Sequence, residues 1–108
     1  MVCGIDNQVL LRRLKEALSE AFGPRLRGVV LYGSQARGDA EPDSDIDVLV
    51  LLEGPVEYGR DLKICIDAVY PLILELERPI HAKPVDAAAY LAERIPLYSR
   101  AKTEGLVA

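Results

Sequence analysis

Two aspartates, Asp45 and Asp47, stand two residues apart where the apolar run 46–52 begins. In an extended strand alternate side chains share one face, so both carboxylates are expected on one side while Ile46 and Val48 enter the other. Their Cα atoms would be roughly 7 Å apart, and two carboxylates at that spacing repel each other unless a cation lies between them. Mg²⁺ prefers hard oxygen ligands and typically takes one or two carboxylates together with substrate phosphates. The pair therefore predicts a magnesium site with Asp45 and Asp47 as ligands.

A Gly-Ser turn, Gly33-Ser34, closes the apolar stretch 27–33 and precedes a segment that could make one or two helical turns. The free N–H groups and positive end of such a helix point at a bound phosphate. Glycine lets the phosphate approach the main chain, and the Ser34 hydroxyl can donate one more hydrogen bond. Arg37 could also reach the phosphates, or could instead pair with an acid of the loop 39–43. If the two strands are neighbours, phosphates and metal lie together, as phosphoryl or nucleotidyl transfer requires.

Each feature alone also has an ordinary structural interpretation. A Gly-Ser pair is usually a simple turn, and an Asp-x-Asp pair is usually a solvated strand end or a capping loop. Here a strand, Gly-Ser, a short helix, an acidic loop, Asp-x-Asp and an apolar strand follow one another within a short span. That combination favours the catalytic interpretation.

The spacing of apolar residues places these motifs among alternating helices and strands. Asp6 or Asn7 can cap the first helix, and Gly23-Pro24 is a typical stop signal for it. The expected elements are a helix from the cap to residue 22, strands over 27–33 and 46–52, a long helix over 56–77, a third strand over 79–85 and a short helix over 87–92. This order predicts one small sheet covered by helices.

The long segment 56–77 is apolar on more than one stripe. Such a helix is either buried on two sides or shared with another chain, so a homo- or hetero-oligomer formed through this helix is expected. Pro71 should kink or interrupt it, because proline removes a backbone donor. Two prolines in the third strand confine that strand to an edge of the sheet or make it short, and Asp86 is expected to cap the helix that follows.

Composition limits the class of protein. The chain has 108 residues, of which 50% are hydrophobic, which predicts a single domain over 1–108 with one packed core. A net charge of −4 with scattered basic residues argues against a protein that coats nucleic acid. No run approaches the ~18 apolar residues of a membrane helix, and no secretory signal is visible. A soluble cytoplasmic protein is expected.

The stretch "GSQARGDAEPDSDIDVLVLL" resembles the Gly-Ser…Asp-x-Asp signature of the polymerase-β-type nucleotidyltransferase superfamily. In length and layout the chain resembles the minimal nucleotidyltransferases (MNT) that are partners of HEPN proteins. The resemblance implies an α+β fold with a small mixed sheet covered by helices, nucleotide phosphates bound by Gly33 and Ser34, and two Mg²⁺ ions bound by Asp45 and Asp47. It further implies an antitoxin that transfers AMP from ATP, or a nucleotide from another triphosphate, to a tyrosine of a HEPN ribonuclease.

The sequence departs from this family at one position. Many members carry a third carboxylate on the next core strand, where this chain offers His81 and Lys83 but no acid. His81 could act as the base in its place, or could be structural. The missing acid keeps two alternatives open: an antitoxin that neutralises its partner by contact alone, and, with less room in a chain of this size, a nucleotidyltransferase for a small molecule such as an aminoglycoside.

Overall fold

A computed structural model describes residues 6–33, 44–92 and 106–107. Within them, four strands form one sheet in the order β3–β2–β1–β4. The central strands β1 and β2 are antiparallel, β3 is parallel to β2, and β4 is antiparallel to β1. The strands are β1 (Leu26–Tyr32), β2 (Ile46–Leu52), β3 (Ile80–Asp86) and β4 (Leu106–Val107). The predicted α+β fold with a small mixed sheet is confirmed.

Helix α1 (Asn7–Phe22) forms as its sequence predicts. The Asp6 carboxylate accepts hydrogen bonds from the N–H groups of Gln8 and Val9, at 2.8 and 3.4 Å, and so satisfies two donors of the first turn. At the other end Gly23 adopts a φ of +59° and donates its N–H to the Ser19 carbonyl. A short 3₁₀ helix (Gly23–Arg25) then leads into β1.

The two faces of the sheet bury different clusters, because strand side chains alternate between them. One face packs against α1 and α2 (Tyr58–Leu76) and forms the main core. The opposite face carries a smaller cluster that includes Tyr90 of α3 (Ala87–Ala92). The strand residues of the main core are Val29, Leu31, Ile46, Val48, Val50, Leu52, Ile80 and Ala82, and those of the smaller cluster are Val30, Leu49, Leu51 and Val85.

Helix α2 begins two residues later than predicted and continues through Pro71. The predicted interruption at Pro71 is therefore wrong. Pro71 is exposed, and the carbonyl that loses its partner belongs to Asp67, which is also exposed, so water can replace the lost hydrogen bond. The apolar surplus noted in the sequence lies partly at the surface: Tyr58, Ile66, Tyr70 and Leu74 are 47–60% exposed. In the part of the chain that the structure describes, no helix combines the length and the apolar character needed to cross a membrane.

A buried ion pair secures the connection between β2 and α2. The Asp61 side chain is 0% exposed and accepts hydrogen bonds from Arg25 at 3.0 and 3.2 Å and from the Glu57 N–H at 3.1 Å. Arg25 also donates to the carbonyls of Glu53 and Pro55, at 3.4 and 3.3 Å. The Arg25 guanidinium and the Glu57 N–H hold the pKa of Asp61 below its ordinary value against the opposing effect of burial. Sequence patterns gave no sign of this contact.

Strand β3 lies at one edge of the described sheet, as its two prolines predicted. The helix that follows is capped as expected. Asp86 accepts hydrogen bonds from the N–H groups of Ala88 and Ala89, at 2.8 and 3.3 Å. These hydrogen bonds confirm the predicted capping role of Asp86. Asp86 is the last residue of β3 and lies at the opposite end of the strand from His81.

Candidate functional site

One row of side chains crosses the three longer strands at a single end of the sheet. Asp47 in β2 pairs with Tyr32 in β1 and with His81 in β3. Residues directly opposite each other on neighbouring strands project from the same face. The row Tyr32–Asp47–His81 therefore lies on the face away from α1 and α2, next to the smaller apolar cluster, against which Tyr32 packs.

Asp45 joins this row at the start of β2. Being two residues before Asp47, it projects to the same side, as the spacing predicted. His81 Nε2 lies 2.9 Å from Asp45 Oδ2. An ionised carboxylate can only accept a hydrogen bond, so Nε2 carries the hydrogen and donates it. Both carboxylates of the predicted pair thus lie beside one imidazole.

Gly33 and Asp47 are brought into direct proximity. Gly33 follows β1 with a φ of +76°, a conformation that favours glycine. A Cβ atom built on Gly33 would lie 2.7 Å from Asp47 Oδ2, closer than real Cβ atoms approach other atoms. The absence of a side chain at Gly33 therefore lets the Asp47 carboxylate rest against the turn. The glycine turn and the acid pair, predicted as two halves of one site, are neighbours.

The remaining predicted site residues, Ser34 and Arg37, lie outside the described residues. The helical turn expected after Gly33 and the acidic loop 39–43 do so as well. Their roles in binding phosphate stay predictions.

Asp47 is half-buried, and its surroundings disfavour its negative charge. Burial raises the pKa of Asp47 above its ordinary value, and the neighbouring Asp45 raises it further, while His81 acts in the opposite direction. Burial, together with the charge of Asp47, also raises the pKa of Tyr32. A cation bound beside Asp47 would relieve the repulsion between the two carboxylates, so this pair has the electrostatic character of a cation site.

The donor set fits a divalent cation that is shared with a nucleotide. Across residues 6–33, 44–92 and 106–107, no three His, Cys, Asp or Glu side chains are grouped closely enough to hold a metal ion by themselves. Mg²⁺ does not need such a group, since one or two carboxylates and the substrate phosphates suffice. Asp45 and Asp47 supply the two carboxylates, and Gly33, which has no side chain, allows the Asp47 carboxylate to lie against the turn. These residues fit Mg²⁺ or a similar hard cation.

The described strand β3 supplies an imidazole where the family resemblance led us to expect a carboxylate. His81 pairs with Asp47 and is hydrogen-bonded to Asp45, whereas Lys83 pairs with Leu49 farther along the sheet. The sequence left the role of His81 open and did not reveal its contact with Asp45. On the other side of Asp47, Tyr32 of β1 is its partner in the sheet. Both contacts depend on strand register, which a hydrophobic pattern does not contain.

Comparison with known proteins identifies the family. A family model described as a nucleotidyltransferase domain matches residues 11–103. The chain belongs to the nucleotidyltransferase domain family. This assignment confirms the resemblance that the Gly-Ser and Asp-x-Asp motifs indicated.

Two curated relatives from Methanocaldococcus jannaschii are both named as candidate protein adenylyltransferases. One is 30% identical over 61 residues, which cover 56% of this chain and 59% of the relative. The other is 39% identical over 44 residues, which cover 41% of this chain and 44% of the relative. The chain therefore aligns with less than two thirds of the length of either relative.

Solved structures share the fold of this nucleotidyltransferase domain. A toxin–antitoxin structure with AMP-PNP superposes with a TM-score of 0.63 at 19% identity, covering 89% of this chain and 69% of that chain. A variant MntA–HpeT toxin–antitoxin structure gives a TM-score of 0.58 at 17% identity, covering 96% and 72%. A spectinomycin adenyltransferase from Enterococcus faecialis, with ATP and spectinomycin, gives 0.56 at 20% identity, covering 75% and 34%. At these identities the likeness concerns the fold.

Proposed function

We propose that this protein is a Mg²⁺-dependent nucleotidyltransferase that transfers AMP from ATP to a tyrosine hydroxyl of a HEPN-type toxin and thereby acts as its antitoxin. The observation that carries the proposal is the contact between the Asp47 carboxylate and the turn at Gly33, with Asp45 on the same side. Membership of the nucleotidyltransferase domain family supports the reaction class. The adenylyltransferase names of the two relatives and the toxin–antitoxin structures of the same fold support the choice of acceptor.

The residues of the chain would act by position and charge. Asp45 and Asp47 would hold Mg²⁺, which neutralises negative charge on the phosphates. The main-chain N–H groups of the turn at Gly33 would bind the triphosphate, and Ser34 and Arg37 are the predicted further phosphate contacts. The acceptor oxygen forms a bond to the α-phosphorus, the bond between the α-phosphorus and the bridging oxygen breaks, and pyrophosphate leaves. The acceptor hydroxyl gives its proton to solvent water in this step.

A labelling experiment tests the proposal directly. The purified chain, Mg²⁺ and the protein product of the neighbouring gene, tested as the partner, are incubated with ATP labelled either at the α- or at the γ-phosphate. AMP transfer labels the partner from the α-phosphate only, and peptide mass spectrometry should place the added mass on a tyrosine. Label from the γ-phosphate would instead indicate a kinase and contradict the proposal.

Matched variants connect the label to the site. Asp47→Asn keeps the size of the side chain but removes the charge, so labelling should be lost. Asp67→Asn is the control, since Asp67 is an exposed acid of α2 that pairs with Lys63 at 3.1 Å and lies outside the proposed site. Unchanged labelling with Asp47→Asn would refute the assignment of this residue.

A second candidate is an antitoxin that neutralises its partner by contact without modifying it. Two observations favour it: Ile66, Tyr70 and Leu74 are exposed on α2, and β3 carries His81 in place of an acid. Exposed apolar side chains that recur every four residues form a stripe along one side of a helix, as partner-binding helices do. This candidate predicts a stable complex that survives Asp45→Asn and Asp47→Asn, with a partner of unmodified mass. A modified partner peptide would exclude it.

A further inference from the structure

The proposed reaction assigns no role to the hydrogen bond between His81 and Asp45. Asp45 precedes β2, and its side chain is 55% exposed. A carboxylate in that position can leave the site by rotating about its side-chain bonds. His81, by contrast, lies within β3, where its main chain is paired in register with Asp47. The main chain of His81 is therefore held by the sheet, whereas Asp45 lies outside the strand.

The hydrogen bond of 2.9 Å joins the imidazole of this strand residue to the carboxylate that precedes β2. His81 Nε2 occupies one oxygen of Asp45, Oδ2, and leaves Oδ1 for another partner. Because Asp47 pairs with His81 in the sheet, a carboxylate tied to His81 stays on the side of Asp47. The chain thus holds two carboxylates together in spite of their repulsion, using a donor that adds no further negative charge.

We propose that His81 is a positioning residue for the divalent cation: its Nε2–H holds the Asp45 carboxylate beside Asp47 so that the two can bind the ion together. The inference rests on the proposed function, because it takes Asp45 and Asp47 to be the cation ligands. It assigns His81 a role different from that of a third ligand or a proton acceptor. His81 acts through Asp45 and does not touch the reacting atoms.

The expected loss of cation affinity on removal of His81 depends on how exposed the His81 and Asp45 side chains are. Loss of a group that orients a metal ligand typically weakens metal affinity 10–100-fold. The side chains of His81 and Asp45 are 60% and 55% exposed, so water competes for this hydrogen bond. We therefore expect the lower end of that range, a loss of about 10-fold.

Mn²⁺ is the probe, because its paramagnetic resonance signal reports the free ion without any need for catalysis. The full chain is titrated with Mn²⁺, alone and with AMP-PNP, as wild type, His81→Ala and His81→Gln. The Gln side chain reaches about as far as Nε2 and donates an N–H, but it has no imidazole ring. His81→Ala should weaken Mn²⁺ binding about 10-fold, and His81→Gln should recover most of the lost affinity. Melting temperatures confirm that the variants are folded.

A variant pair identifies the group through which His81 acts. If His81 works through Asp45, His81→Ala should have little further effect on an Asp45→Asn background. Mn²⁺ binding by His81→Ala that is as tight as in the wild type, or tighter, would overturn the inference. A His81→Gln variant that binds Mn²⁺ no more tightly than His81→Ala would also overturn it, because the imidazole ring itself would then be the ligand. A wild-type chain that binds no Mn²⁺ in either titration would also overturn it. Absence of AMP transfer by a chain that binds Mn²⁺ as expected would instead refute the proposed function and leave this inference standing.

Discussion

Replacement of Gly33 with alanine should damage the site more than the fold. Gly33 has a φ of +76°, and holding an L-residue in that region costs about 1–2 kcal/mol. For a domain of this size that cost lowers the melting temperature by roughly 5–15 °C. The new Cβ would also lie 2.7 Å from Asp47 Oδ2. Because that oxygen ends a flexible side chain, it can move away, and the contact adds little to the loss of stability.

Activity should be more sensitive to this movement than stability is. An ordinary van der Waals contact for a Cβ atom begins at 3.4 Å, so the Asp47 oxygen must move outward from 2.7 Å by several tenths of an ångström. A displacement of about 1 Å can cost 100-fold in rate, and functional groups need to be held to within about 0.5 Å. We therefore expect Gly33→Ala to lower AMP transfer by at least about 10-fold, measured as the initial rate of labelling from α-labelled ATP below the melting transition.

Gly23 supplies the matched control. It also has a positive φ, +59°, but a Cβ built there meets nothing within 4 Å. Gly23→Ala should therefore lose stability while its folded fraction transfers AMP at the wild-type rate. A Gly33→Ala variant that keeps the wild-type rate, or a Gly23→Ala variant that loses as much activity as Gly33→Ala, would refute the argument that the Gly33–Asp47 contact positions the carboxylate.

Two further predictions concern charge and stability. Because burial and Asp45 raise the pKa of Asp47, the folded chain binds that proton more tightly than the unfolded chain, so ionisation of Asp47 destabilises the fold at neutral pH. Asp47→Asn should raise the melting temperature at pH 7, and the gain should disappear below the ordinary pKa of an aspartate; an unchanged melting temperature at pH 7 would contradict this. Arg25→Ala leaves the buried Asp61 carboxylate with Arg60, whose Nε lies 3.5 Å from Oδ1, as its remaining cation. The loss should be about 3 kcal/mol, the lower end for a broken buried pair, because Arg25 is 32% exposed and Arg60 remains. Since the pKa of Asp61 is lowered in the folded chain, ionised Asp61 stabilises the fold above the ordinary pKa of an aspartate, and this stabilisation is lost as the pH falls through the lowered pKa. The urea midpoint of Arg25→Ala should therefore change less with acid pH than the midpoint of the wild type.

Elements with a strong local pattern were predicted closely from the sequence. Strand β2 occupies Ile46–Leu52 as expected, and α1 is capped by Asp6. Helix α3 also occupies its predicted range, Ala87–Ala92. The bounds of β1, α2 and β3 differ from the predicted ones by one or two residues, the usual uncertainty at element ends, and β4 was not predicted. At Pro71 the predicted interruption was wrong, because a local rule does not show that the residue faces water, where the missing hydrogen bond costs less.

Contacts between distant elements could not be read from the same patterns. Hydrophobic alternation assigned Asp45 and Asp47 to one face of β2, but it does not specify which residue of a neighbouring strand lies opposite. The pairing of Asp47 with Tyr32 and His81 depends on strand register. The ion pair between Arg25 and Asp61 joins residues 36 positions apart, so no window of local sequence includes both.

Of the predicted site, Asp45, Asp47 and Gly33 lie together, as the motif spacing indicated. The residues joined the glycine turn and the acid pair in one site on the condition that their strands are neighbours, and the pairing of β1 with β2 meets that condition. Ser34 and Arg37 stay predictions, as do the Mg²⁺ ion, the tyrosine acceptor, the single domain over 1–108, the cytoplasmic location and the oligomer formed through α2.

The row Tyr32–Asp47–His81 has a consequence for how such a site can diverge. Its lateral spacing equals the separation of neighbouring strands, about 4.8 Å, which main-chain hydrogen bonds impose whatever the side chains are. Substitutions elsewhere in the sheet leave that interval intact provided that the strands stay paired. A framework whose dimensions come from the peptide backbone can accept extensive replacement of its residues, in keeping with the low identity, 16–24%, at which this architecture recurs among the solved structures.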